Sequence, residues 1–114
     1  MNIGGKERPI KFGINQTDLF CELRGIKLND YYKLLGEFEG GEYLFKDVRD
    51  LLWSALKDGA RQAKIEFNEE PLTIGDWMDI DPAGIISEVM KELVGSLPKP
   101  VENGTTKKKK ATKV

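Results

Sequence analysis

Seven apolar residues, Leu44, Phe45, Val48, Leu51, Leu52, Ala55 and Leu56, recur at intervals of three and four and predict one amphipathic helix. A strand alternates its faces at every residue and cannot gather this set on one side. The same spacing expects Lys46, Asp47, Arg49, Asp50, Lys57 and Asp58 to face water, with Trp53 bordering the core. Gly59 can end this helix, or Ala60-Arg61-Gln62-Ala63 can carry it one turn further. Other elements have to arrange themselves around that stripe.

Upstream, Ile10, Phe12 and Ile14 alternate with Lys11 and Gly13, which predicts a short strand. Asn15 or Thr17 is expected to cap a first helix, with Leu19, Phe20 and Leu23 on one face and Gly25 as the stop. Asn29 or Asp30 is expected to cap a second, bearing Tyr31, Tyr32, Leu34 and Leu35, which Gly36 and then Gly40-Gly41 weaken and end. Downstream, Ile65 and Phe67 alternate as a second short strand that could pair with Ile10–Ile14. Leu72-Thr73-Ile74-Gly75-Asp76-Trp77 reads as a helix start, with Thr73 capping, Asp76 reaching back and Leu72 stapling onto Trp77. Asp81-Pro82 is another start, an aspartate cap followed by proline where no N–H is needed. The helix that follows carries Ile85, Ile86, Val89, Met90, Leu93, Val94 and Leu97 as a wide stripe, and Pro98 and Pro100 end it.

These elements predict a mainly α fold, a compact bundle of about four to five short helices with a small two-stranded β element. Residues 1–9 read as a flexible N-terminus, 10–97 as the helical domain and 98–114 as a disordered lysine-rich tail. Charge divides at the same boundary. Six lysines against Glu102 leave residues 98–114 at +5, whereas twelve basic and eighteen acidic side chains leave residues 1–97 at −6.

Little in the composition points to catalysis. The chain has no histidine, hence neither the commonest general base nor the commonest metal ligand. Cys21 is the single cysteine and sits beside Phe20, which reads as a buried structural thiol in a reducing compartment. Asp76, Asp79 and Asp81 suit a divalent cation in type, but they lack the loop length and closing glutamate of an EF-hand, and helix capping accounts for them. Glu37, Glu39, Glu42, Glu69 and Glu70 read as solvated charge, and the glycine pairs 4–5 and 40–41 match no phosphate-binding loop. No enzyme, metal or cofactor is expected. Met1–Lys6 lacks the apolar run of a signal peptide and no stretch reaches membrane-spanning length, so a cytoplasmic protein is expected.

Binding is the remaining class. Trp53, Trp77, Ile86, Met90 and Val94 are candidate protein-contact residues, with core packing the competing explanation for each. Lys107, Lys108, Lys109 and Lys110 could attract phosphates without reading bases, but the tail carries no stacking aromatics. A solubilising tail explains them equally, and the acidic body opposes nucleic acid.

In its order of apolar positions, the stretch from Ile10 to Leu97 resembles the tail assembly chaperones of long-tailed bacteriophages and prophages. The likeness is carried by Ile10-Lys11-Phe12-Gly13, a helix ending near Arg24-Gly25-Ile26, and Phe45-Lys46-Asp47-Val48-Arg49-Asp50-Leu51-Leu52-Trp53. It continues through Leu72-Thr73-Ile74-Gly75-Asp76-Trp77 to a last helix ending in Ser96-Leu97-Pro98. The resemblance implies a non-enzymatic helical protein of the bacterial host cytoplasm. It would bind the tape-measure protein, help recruit tail-tube subunits, self-associate, and be absent from the mature virion. It also implies a longer product of ribosomal frameshifting, for which the codons of Lys107–Lys110 are the expected site. A helical head–tail connector and a nucleic-acid-binding accessory protein are the alternatives.

Overall fold

The computed structural model describes residues 1–97. The expected disordered tail and its lysine run lie outside the described residues. The elements in order are β1 (Asn2–Ile3), β2 (Lys6–Glu7), α1 (Ile14–Arg24), α2 (Leu28–Glu39), α3 (Phe45–Ala63), α4 (Pro71–Met78) and α5 (Pro82–Ser96). The fold is mainly helical with a small antiparallel sheet, the class the sequence predicts.

Helix α3 is the axis. Val48, Leu51, Leu52, Ala55 and Leu56 are each at most 1 % exposed, and burying each larger side chain contributes about 1.5–3 kcal/mol. Phe20 of α1, Tyr31 and Phe38 of α2, Ile74 and Met78 of α4, and Val89 and Leu93 of α5 join them in one core. Gly25 takes φ 66° to close α1, and Asp81 caps α5 by accepting from the Gly84 N–H at 3.2 Å, both as the sequence implies. Helix α3 continues through Gly59 to Ala63.

Two parts of the α3 expectation are corrected. Asp47, Asp50 and Asp58 are buried, not water-facing. Arg24 of α1 reaches Asp47 at 2.9 Å and Asp50 at 3.4 Å, and Arg49 holds Asp50 at 2.8 Å. Asp58 is held by Arg61 at 2.6 Å and faces Lys11 at 3.7 Å. Buried carboxylates persist only with such partners. Conversely, Leu44 and Phe45, expected in the core, are 59 % and 70 % exposed. They stand at the helix start, where the chain has only begun to enter the core.

The strands also lie elsewhere. Residues 1–9 are not a loose end but contain the hairpin, in register Asn2↔Glu7 and Ile3↔Lys6. Gly4 and Gly5 supply the two positive φ angles, 64° and 83°, that a tight two-residue turn requires. Ile3 enters the core, and the Met1 ammonium donates to Glu7 at 2.7 Å and to the Arg8 carbonyl at 2.8 Å. Ile10–Gly13 forms no strand. It lies along α3, with the Lys11 N–H donating to the Ala55 carbonyl at 3.1 Å and Pro9 packed directly on Gly59. Its backbone is thus engaged by a helix, and residues 65–68 are left without a strand partner and remain irregular.

Helix starts shift as well. Gly13 precedes α1 and Lys27 precedes α2, with Asp30 reaching back to the Lys27 N–H at 3.2 Å and not itself capping. Helix α4 begins at Pro71, ahead of Thr73, because proline fits the first helical position. Leu72 consequently points outward at 69 % exposure.

Candidate functional site

Helix α2 ends at Gly40, and Gly41 at φ 77° turns the chain so that Tyr43, Leu44 and Phe45 run up to α3. Phe45 therefore projects from the first turn of α3 towards the junction between α4 and α5. On the α4 side it borders a cleft of about 480 Å³ with Leu72, Gly75, Met78 and Pro82. On the α5 side it borders a second of about 670 Å³ with Tyr43, Pro82, Ala83, Ile86 and Met90. Phe45 and Pro82 belong to both, so the two clefts are halves of one groove divided by a phenyl ring.

Gly75 shapes the floor of the α4 half. A Cβ there would sit 3.3 Å from Cδ of Arg49, whose stem lies against the helix backbone. The Arg49 head group is turned to Asp50, so its charge is already matched. Met78 contributes from below at 5 % exposure. Ile86 and Met90 sit on the half-buried face of α5, a helix that buries only Val89 and Leu93. The groove is open and largely apolar, with Lys46, Arg49, Asp76 and Asp79 on the walls of its α4 half, a surface suited to a helix or strand laid along it.

The five anchors read from the sequence separate in space. Ile86 and Met90 line the groove. Val94 lies further along α5 at 66 % exposure. Trp77 faces away: its ring stacks on Gly4 and under the Arg8 guanidinium, 4.4 Å from the ring centroid. Trp53 donates its indole N–H to the Glu69 carbonyl at 2.9 Å and so pins the segment between α3 and α4. Both tryptophans are engaged within the fold. Phe45 and Leu72, the most exposed large apolar residues lining the groove, were not among the sequence candidates. The signal for Leu72 was Pro71, which places it on the first turn of α4.

Elsewhere the chemistry is quiet. Burial pushes the Cys21 thiol above its ordinary value, and the negative charges of Asp18 and Asp30 add to this. The reactive thiolate is thereby disfavoured. Among the described residues no group of three or more acidic, cysteine or histidine side chains is placed to hold a metal ion, and no helix is long and apolar enough to cross a membrane. Lys107–Lys110 lie outside the described residues.

No protein-family model, curated protein or solved structure matches this chain. What the groove is for has to be argued from its own residues.

Proposed function

We propose that this protein is a non-enzymatic tail assembly chaperone of a long-tailed phage or prophage, acting in the cytoplasm of the bacterial host. It binds apolar helical segments of the tape-measure protein and helps bring tail-tube subunits to it. It leaves before the virion is complete. The observation that carries the reading is the groove over the start of α3, where Phe45 and Leu72 are displayed at 70 % and 69 % exposure on a small helical body. Exposed apolar side chains around a concave surface are what a chaperone needs to shield helices that would otherwise aggregate. The ordered likeness of Ile10–Leu97 to such chaperones adds the phage context.

The test is co-expression of the tape-measure protein from the same genome with this chain or with a Phe45→Ala, Leu72→Ser double variant. The parent chain keeps the tape-measure protein in the soluble fraction and the variant does not. Equal solubility with both, or none with either, overturns the reading. Expression of the gene with its downstream region, followed by intact-mass measurement, tests the longer product, whose sequence diverges within Lys107–Lys110.

A further inference from the structure

Helix α5 carries two apolar rows. Val89 and Leu93 are buried against the body, and beside them Ile86, Met90 and Val94, four apart, lead on to Leu97 at the helix end. This second row is half-buried at Ile86 and Met90 but open at Val94 and Leu97, which are 66 % and 44 % exposed. Its start borders the cleft lined by Phe45, Ala83 and Ile86, and no residue lining that cleft is charged. One face of one helix thus has an apolar recess at its N-terminal end and two apolar knobs at its C-terminal end. The 15 residues of α5 hold them about 22 Å apart. Helical spacing puts Glu88 and Glu92 on the other side of α5 and Lys91 at the margin of the row.

Within one chain the helix keeps knobs and recess from meeting. Two copies can satisfy both. Laid antiparallel about a two-fold axis at Met90, two α5 helices set Ile86 opposite Val94 and Ala83 opposite Leu97, and do so at both ends at once. The small Ala83 faces the large Leu97, and the two helix dipoles run in opposite directions. Charge agrees with this register. The residues after Leu97 carry +5, and in their own copy they begin a helix length from Asp81. In the antiparallel pair they begin beside the start of the other copy's α5. The charged residues lining the hairpin-side cleft there are Asp81 and Glu88. The neighbouring cleft adds Asp76 and Asp79 against Lys46, since Arg49 is already answered by Asp50. The whole chain, at −1, has little net charge to hold two copies apart. We propose that the chain forms a two-fold antiparallel dimer through α5, with Val94 and Leu97 of each copy seated in the Phe45–Ala83–Ile86 recess of the other. Leu72 lies on the α4 side of the groove and stays clear of this contact.

The test is sedimentation of the full chain over a range of concentrations, combined with site-directed cross-linking. The chain passes from monomer to dimer between about 1 and 100 μM, the range of a small interface. Val94→Asp weakens the dimer by about tenfold or more and leaves the urea midpoint unchanged, because this side chain is mostly in water. In a Cys21→Ser background, Met90→Cys is joined to its own symmetry mate by a short bismaleimide, whereas Leu72→Cys is not. Rising salt loosens the dimer by screening the basic segment from the acidic end of α5. A chain that stays monomeric throughout overturns the proposal. So does a dimer that Val94→Asp leaves intact, or one that cross-links equally through Leu72→Cys. A salt-indifferent dimer overturns the placement of the basic segment. Sedimentation of the chain alone reads the α5 contact, and co-expression with the tape-measure protein reads the client, so the failure of one is distinguishable from the failure of the other.

Discussion

The Arg24 guanidinium donates to Asp47 Oδ1 at 2.9 Å, while Asp47 Oδ2 accepts from the Leu44 N–H at 3.1 Å. One carboxylate therefore ties α1 to α3 and also closes the first turn of α3, the turn that presents Phe45. Arg24→Ala leaves Asp47 and Asp50 buried with reduced compensation. It should cost about 2–4 kcal/mol in urea unfolding, more than an exposed ion pair would.

Gly4 and Gly5 separate two effects. Both need positive φ, but a Cβ at Gly4 would also lie 2.7 Å from Cδ2 of Trp77, whereas Gly5 has open space. Gly5→Ala should cost about 1 kcal/mol from strain alone. Gly4→Ala should cost about 2–3 kcal/mol and alter the tryptophan emission, because the hairpin has to lift off the indole.

Gly59 and Gly36 make a second contrast within helices. A Cβ at Gly59 overlaps the Pro9 carbonyl, so Gly59→Ala should displace residues 9–11 from α3 and destabilise by about 1–3 kcal/mol. Gly36 lies inside α2 with nothing near its missing Cβ. Gly36→Ala should stabilise by about 0.5–1 kcal/mol, read as a higher denaturant midpoint at constant slope.

Cys21 should alkylate more slowly in the folded protein than in urea at neutral pH. Burial raises its thiol, with Asp18 and Asp30 adding to the rise, so a smaller fraction is thiolate at any given pH. The linkage has a sign. The folded state holds this proton more tightly, so its contribution to stability is complete below the unfolded thiol value and is lost as pH rises through the folded one. Cys21→Ser should flatten the alkaline decline in stability.

Phe45→Ala and Leu72→Ala should each change unfolding free energy by no more than about 0.5 kcal/mol, because both side chains are mostly in water. Leu52→Ala, fully buried on the same helix system, should cost about 2–5 kcal/mol. Thermal and urea unfolding of the three variants checks the division between displayed and structural apolar residues.

How far the sequence was legible follows from the range of each signal. Asp81-Pro82 and Pro98 act within one turn, so the limits of α5 can be read directly. The stripe from Val48 to Leu56 is equally local. The burial of Asp47 and Asp50 is not, because their partner Arg24 lies on another helix. The hairpin was hidden by its brevity: two-residue strands have no periodicity, and only Gly4-Gly5 marks the turn. Phe45 was misplaced for a geometric reason. It continues the periodic stripe, but periodicity does not say at which turn a helix first meets its neighbours. Half of the groove was therefore visible in Ile86 and Met90, and its most exposed part was not.

The stacking of Gly4 on Trp77 also bears on the order of synthesis. The hairpin precedes its docking surface in the chain, and α4 is synthesised only after α1, α2 and α3. Residues 2–7 must therefore wait, undocked, while three helices are made. Packing of the hairpin onto the indole is a late-formed, long-range contact, however early its own two-residue turn can close.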